Sequence, residues 1–533
     1  MPKAPWRHRH DDHRPAAPAV PRPPRLRRAY PAHLAALGLV LAAPGVAQAA
    51  AHPEHNAAPR AAAACIASGN VAGITAALNG QGAEAVLCPG ATFNLTTPIG
   101  FTAANQKIYT QGLPTDGTRA TLVVTGASQS TAVQGNNQSG VVLENLQING
   151  NRPALGRIAG GSGLIEMGGS GSNETVQYVN AYQTRGWSTL HMAEGPVTDS
   201  TPTCQNAKIL NNRIAQAGTG SPSGTWADGI SLACGHSQVE NNTVEDATDG
   251  GIVIFGAPGS TVQNNTITAL TQTELGGINM VDYAPMNGNY TGTVVSHNTI
   301  DGKSAFIKVA IAMGPQIWGC GTGTNYGASV TNNTVQGQNI GFGYAVNGVT
   351  SWTVTGNTDT ARHVGVTAGA CGGPTSRPGA FQYQSAGSST LQSQFVGGQQ
   401  LEYLLGVSEP DILKAATAST ACGTLRAGQG LYPRQALTSC DGRFTLNLQG
   451  DGNLVLRQGS TALWSAGTAG KGTAEALLQG DGNFVLYDGT AAGVWTSGSA
   501  GNSGAWLSVQ NDGNTVIYSA GGTPLWSSGT AGH

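Results

Sequence analysis

Charge is scarce in this chain. Asp, Glu, Lys and Arg together make up 10% of 533 residues, and the net charge is -2. Such a sequence has no basic field for nucleic acid and no acidic tail. Long apolar runs are also missing: beyond the N-terminal region no segment stays apolar for the roughly 18 residues that a spanning helix needs. No two cysteines have the close spacing of a zinc knuckle, which argues against a structural metal site and for disulfides. What the chain has in excess is glycine, 78 residues of it, with abundant Asn, Thr and Ser. Hydrophobic residues still reach 39%, so the composition is that of a turn-rich all-β protein and not of a disordered one. The length allows two or more domains with full cores.

The N-terminal stretch "PRLRRAYPAHLAALGLVLAAPGVAQAAAHP" contains a basic cluster (Arg25, Arg27, Arg28) and the apolar run Leu34–Ala43. The small-x-small site Ala47-Gln48-Ala49 follows, which makes residues 1–49 an extended secretion signal, with 50–64 as a linker. A retained membrane anchor is the alternative. The Arg27-Arg28 pair would suit twin-arginine export, but Pro31 interrupts the apolar continuation, so that route ranks second. The first 24 residues, rich in Pro and His, are not expected to fold. Eight cysteines fit an oxidising, extracellular or cell-surface setting. In sequence order they pair as Cys65–Cys88, Cys204–Cys234, Cys320–Cys371 and Cys422–Cys440, a connectivity that spacing alone does not prove.

Two repeat systems divide the remainder. From Cys65 to about residue 410, short Val/Ile/Thr strands are punctuated by Asn: "LENLQING", "ILNNRIAQ", "VENNTVED", "VQNNTITA", "VSHNTIDG", "VTNNTVQG" and "VTGNTDT". Asn212, Asn242, Asn265, Asn298, Asn333 and Asn357 mark the steps. One coil of a parallel β-helix takes roughly two dozen residues, and loops lengthen some coils. A single unit cannot bury its own apolar face, so the units must stack. The marked asparagines then align at one corner in a hydrogen-bonded ladder. The stretch "NVAGITAALNG" reads as a short helix ahead of the first coil. On these residues the region resembles the right-handed parallel β-helix of the pectate-lyase-like superfamily, a resemblance that speaks to fold more than to activity.

After the linker at 411–423 the period changes. Trp464, Trp495 and Trp526 recur every 31 residues in "LWSAGTAG", "VWTSGSAG" and "LWSSGTAG", and three copies make a small three-fold domain over 424–530. Each copy holds a hairpin: "LQGDGNLVLR", "LQGDGNFVLYDG" and "VQNDGNTVIYS". With a three-residue loop, Gln449 opposes Asn453, Gln479 opposes Asn483 and Gln510 opposes Asn514. One face of every hairpin is then apolar, and the other carries Gln, Asp and Asn around a Val. A sugar requires such convergent donors and acceptors beside an apolar contact. The pattern Gln-x-Asp-x-Asn-x-Val-x-Tyr resembles the signature of the bulb-type (monocot) mannose-binding lectins. That resemblance implies an all-β chain in which a right-handed parallel β-helix is followed by a three-fold type II β-prism. It implies a sugar site at Gln479, Asp481, Asn483, Val485 and Tyr487 and another at Gln510, Asp512, Asn514, Val516 and Tyr518. Asp and Asn would hold the axial 2-hydroxyl of mannose, Gln the 3-hydroxyl and Tyr the 4-hydroxyl. The first copy keeps Gln449, Asp451, Asn453 and Val455 but has Arg457 in the place of Tyr. The tryptophans are expected to pack the centre of the prism rather than to stack on sugars.

The β-helix offers a weaker chemical signal. The stretches "TWADGISLAC", "ATDGGIVIFG" and "LGGINMVDY" align on a Gly-Ile step. This points Ile230, Ile252 and Ile278 inward, and Ser231, Val253 and Asn279 outward. Asp228 and Asp249 lead adjacent coils, offset by one residue, where two carboxylates could serve acid–base cleavage of a glycosidic bond. The arrangement is faintly similar to the polygalacturonase-type hydrolases. It departs from them in lacking an Asp-Asp pair and an Arg-x-Lys step, although Lys308 lies two strands on. His236 reads as a loop residue. The alternative is that Asp228 and Asp249 only cap turns. Two readings follow. One is a secreted carbohydrate-binding protein whose β-helix acts on a polysaccharide as a hydrolase or lyase. The other is a non-catalytic adhesin or recognition protein, with the β-helix as a rigid scaffold that presents the lectin. The expected partners are mannose-containing glycans or a polysaccharide, with neither nucleic acid nor a membrane among them once the signal is removed. No cofactor and no metal are called for, and a Ca2+ requirement is left open.

Overall fold

The computed structural model describes residues 64–533 apart from 70, 220–225, 304, 364–368, 372, 375, 377, 407–421, 432–434 and 489–492. The secretion signal read at 1–49 and most of both linkers lie outside the described residues. Within them the chain is all-β, a right-handed parallel β-helix followed by a three-fold β-prism. The helix Val71–Ala77 precedes the first coil and buries Ile74. No described helix is long and apolar enough to cross a membrane.

Three long parallel sheets of eleven, ten and ten strands form the β-helix. Short strands such as Gln238–Glu240 and Thr243–Ala247 place every second side chain inward. The inward residues stack coil on coil into one apolar core that includes Val239, Val244, Ile252, Val262, Ile267 and Ile278. Between the first two sheets the chain turns at an Asn-Asn corner, and the two residues do different work. The first takes the left-handed conformation, with φ near +56° at Asn211, +57° at Asn241 and +56° at Asn264, a region that Asn tolerates better than most residues. The second turns inward and builds the ladder. The side-chain N–H of Asn242 donates to Asn265 Oδ1 at 2.9 Å, and that of Asn265 to Asn298 Oδ1 at 2.9 Å. The same amide nitrogens also donate to the Ile209 and Val239 carbonyls of the preceding coil. The ladder runs unbroken from Asn212 to Asn357.

All four cysteine pairs form in sequence order: Cys65–Cys88, Cys204–Cys234, Cys320–Cys371 and Cys422–Cys440.

The prism consists of three four-stranded antiparallel sheets. Each of the three repeats supplies three strands of one sheet, and the fourth comes from the leading segment 424–438. There Thr424–Arg426 pairs with Trp506–Val509, Gln429–Leu431 with Thr473–Leu478, and Gln435–Thr438 with Phe444–Leu448. The hairpin registers agree with the sequence reading: Leu448 opposes Leu454, Leu478 opposes Phe484 and Leu507 opposes Ile517. These apolar residues meet in the prism core. Trp464, Trp495 and Trp526 come together edge to face, with ring centroids 5.4–5.6 Å apart. The tryptophans therefore pack against one another, as aromatic edges and faces prefer.

Candidate functional site

The three hairpins share one internal wiring. In each, the loop Asp turns Oδ1 back to accept the N–H of the Asn two residues on, at 3.0 Å for Asp451–Asn453 and 2.9 Å for both Asp481–Asn483 and Asp512–Asn514. This is the Asx turn that the Asp-Gly-Asn order favours. Each Asn in turn spends its Oδ1 on the neighbouring strand end. Asn514 Oδ1 accepts from Ser528 Oγ at 2.9 Å and from the Thr530 N–H at 3.2 Å, and Asn483 does the same with Thr496 and Ser499. With Oδ1 committed in this way, the amide nitrogen is the polar atom each Asn has left to offer a ligand. Gln510 Nε2 donates to Tyr518 Oη at 2.8 Å, which fixes both ends of the third set. Gln479 and Tyr487 are joined in the same way. In the first hairpin Arg457 takes the Tyr position. Gln449 Oε1, oriented to satisfy both groups, accepts from Arg457 Nη2 at 2.9 Å, so an acceptor-capable hydroxyl is replaced by a donor-only group.

The hairpins differ most in what stands before them. The third is open: Asp512 is exposed, Gln510, Asn514 and Tyr518 are half-buried, and Trp506 stacks on Tyr518 at 4.7 Å between centroids. The second faces the β-helix. Leu477, Val485 and Tyr487 share one buried apolar cluster with Phe306, Val309, Phe342, Ala345, Leu401, Leu404 and Leu405. Leu477 is the residue responsible. It pairs with Val485 on the polar face, where the first repeat has Asn447 opposite Val455 and the third Ser508 opposite Val516. Burial at this contact pushes the Asp481 carboxyl up to about 6.

On the β-helix, the third sheet carries the other candidate residues. Ile230, Ile252 and Ile278 lie in register and point inward, as expected. Strict alternation would send Asp228 inward with Ile230. Instead, successive coils repeat an out–in–in–out–in pattern, clearest where Val309 and Ala312 face out while Ala310, Ile311 and Met313 face the core. This pattern turns Asp228 and Ser231 to the outer face together. Ser231 Oγ donates to Asp228 Oδ2 at 2.8 Å, and the Ser188 and Ser231 hydroxyls are 2.7 Å apart. The one-residue offset of Asp249 is present, since its N–H bonds the Ala227 carbonyl. Asp228 therefore spends its carboxylate on a hydroxyl of its own strand.

The charges of Asp249 and Asp282 both act on Asp228. Burial raises Asp228 well above the ordinary carboxylate range, and the negative charge of Asp249 adds to the rise. Burial pushes Asp249 up to about 6 against the pull of Lys308 and Arg157. Asp282 is pushed up to about 7, by burial and then by Asp249 and Glu194. The folded chain thus holds protons between about pH 4 and pH 7 that an unfolded Asp has released, so this group costs stability as pH rises through that window. Asp282→Asn is expected to flatten the fall in unfolding midpoint between pH 4 and pH 8; an unchanged slope would remove Asp282 from the group.

Sequence reasoning passed over Asp282, Glu166 and His191. His191 sits directly across from Glu166 in the ladder and Nδ1 lies 2.8 Å from Glu166 Oε2, with Trp187 edge-on to the imidazole at 4.7 Å. Glu166 and His191 lie on coils that carry no Gly-Ile step, whereas Asp282 lies at the end of the third Gly-Ile stretch, just beyond the strand; the signal for Glu166 and His191 was an outward column Glu166, His191, Ser231. Further along, that column becomes Ala312 and Ala345, and its neighbour becomes Val309 and Phe342. The polar half of the sheet's outer face thus gives way to an apolar half, which Leu401, Leu404, Leu405 and the second hairpin cover. Lys308 is buried there and donates to the Leu405 carbonyl at 3.0 Å.

The right handed beta helix region family model matches residues 116–267 and 202–359. None of the curated proteins is significantly similar to the chain. Among solved structures the chain is similar to a lectin of Marasmius oreades, at 32% identity over 22% of this chain and all of that one, TM-score 0.21. It is also similar to monomeric monocot mannose-binding lectins of Gastrodia elata, at 34% identity over 20% of this chain and 98% of that one, TM-score 0.19. The mannose-specific agglutinin of snowdrop, Galanthus nivalis, complexed with methyl-α-D-mannoside, is 33% identical over 20% of this chain and 96% of that one, TM-score 0.18.

Proposed function

We propose that this is a secreted carbohydrate-binding protein in which a mannose-specific lectin module, 424–530, is attached to a β-helix domain, 65–410. The observation that carries the reading is the third hairpin. Exposed Asp512 and half-buried Asn514 each commit one oxygen to the fold and have a second polar atom to offer, in the same hairpin as Gln510, Val516 and Tyr518. Donors and acceptors held in this way bind a polyol with little ordering cost. On this reading Asp512 and Asn514 hold the axial 2-hydroxyl of mannose, Gln510 the 3-hydroxyl and Tyr518 the 4-hydroxyl. Four disulfides support an extracellular setting. Titration with methyl α-mannoside and with its 2-epimer, methyl α-glucoside, tests the assignment. Saturable heat is expected from the first and at least tenfold weaker binding from the second. Equal heats, or none from either, would sink it.

The acidic group on the third sheet favours a second reading, in which the β-helix cleaves a polysaccharide. With its carboxyl held well above the ordinary range by burial, Asp228 would serve as the general acid, and Asp249, at about 6, would act as base or nucleophile near neutral pH. Oligosaccharide release from a panel of plant and microbial glycans is expected from the intact chain and lost in Asp228→Asn and in Asp249→Asn. A panel that yields no product leaves the β-helix as a scaffold.

A further inference from the structure

The second hairpin has the full set Gln479, Asp481, Asn483, Val485 and Tyr487, yet it is turned toward the β-helix. The contact does not fill the space in front of it. Gln479, Asp481, Asn483 and Tyr487 line a cavity of about 310 Å³, whose far wall is Thr271, Gln272, Thr273, Ala305 and Phe306 of the β-helix. That volume lies at the small end of ligand sites, which run from about 300 to 1,000 Å³. It suits one or two sugar residues.

Both walls are fixed. At the hairpin tip, Gly480 fits against Asn339 so closely that an added Cβ would lie 1.8 Å from Asn339 Oδ1. The β-helix wall is held from behind by buried Asp246. Its Oδ1 accepts the N–H groups of Leu270 and Thr271 at 2.8 and 2.9 Å, and its Oδ2 accepts the Thr271 hydroxyl at 2.6 Å. Opposite them, Asp481 gives one oxygen to the Asn483 N–H and lines the cavity. The walls thus combine a hydroxyl-binding array on one side with hydroxyls, an amide and an aromatic ring on the other. A hexose enclosed between them would present hydroxyls in both directions and its ring carbons to Val485 and Phe306.

We propose that the second hairpin and the β-helix together form one composite site that takes the terminal hexose of a mannose-containing glycan. It differs from the third hairpin in being faced by a second wall, which limits the room beyond the bound residue and so favours a chain end, where the open hairpin accepts residues within a chain. This inference rests on the mannose reading above.

The test uses the full chain with the other two hairpins disabled, Asp451→Ala plus Asp512→Ala, titrated with methyl α-mannoside. One saturable site is expected to survive. Adding Thr273→Trp, which fills the cavity from the β-helix side, should weaken that site at least tenfold with the unfolding midpoint unchanged. If the wild-type chain binds the mannoside and the double variant does not, the composite site is overturned while the mannose reading stands. If the wild-type chain binds nothing, both fall. Survival of the site after Thr273→Trp would show that the β-helix wall takes no part, which also overturns the proposal.

Discussion

Asp512→Ala should weaken mannoside binding at the third hairpin by ten- to a hundredfold. A hydrogen bond from a sugar hydroxyl to a charged acceptor contributes about 1.5–3 kcal/mol, and each 1.4 kcal/mol is a factor of ten. The substitution removes that acceptor and also the oxygen that fixes the Asn514 N–H at 2.9 Å, so the neighbouring amide loses its aim as well. Asp512→Asn separates the two effects, because an amide oxygen can still accept the Asn514 N–H. The Asn variant is expected to recover part of the loss. Asp451→Ala provides the contrast: the first hairpin already carries Arg457 bonded to Gln449, and its loss should change the total heat little. Calorimetric titration of the three variants checks all of this. Equal effects of Asp451→Ala and Asp512→Ala would mean that Arg457 does not impair its hairpin.

Asn265→Ala should destabilise the β-helix by about 3–5 kcal/mol. The side chain donates to Asn298 Oδ1 at 2.9 Å and to the Val239 carbonyl at 2.8 Å, and its Oδ1 accepts the backbone and side-chain N–H groups of Asn242, each at 2.9 Å. Truncation strands several of these partners away from water, and a buried group left unpaired costs about 1–3 kcal/mol. The neighbouring Asn264→Gly tests the other half of the corner. Asn264 has φ near +56°, a conformation that glycine adopts freely, so this change should cost less than about 1 kcal/mol. Urea unfolding monitored by circular dichroism measures both variants. Comparable losses would mean that the left-handed corner, and not the ladder, carries the stability.

Local rules made much of this legible. The Asn spacing identified the ladder, the Asp-Gly loops set the hairpin registers, and the Gly-Ile steps aligned three coils. Each depends on residues close in sequence or on a simple period. Contacts between surfaces that are each regular were harder to read. Leu477 breaks the polar face of its hairpin by a single residue, visible only when the three repeats are superposed on Asn447 and Ser508. The run "IKVAIAM" is apolar on both faces, a sign that its strand is covered on the outside too, but the sequence does not say by what. Asp282 meets Asp228 and Asp249 only through stacking, across loops of unequal length. The outward turn of Asp228 depends on a local break in alternation that period-two reasoning cannot foresee.

The segment 424–438 gives one strand to each of the three prism sheets. The stretch of sequence that was copied three times is therefore not the piece that folds. A repeat cut out alone would leave a sheet edge with its N–H and C=O groups unmet, and such an edge recruits other chains. Acquisition of the module by another protein must take the leader and all three repeats as one cassette. Loss of the leader would expose three edges at once and turn the prism into a seed for aggregation.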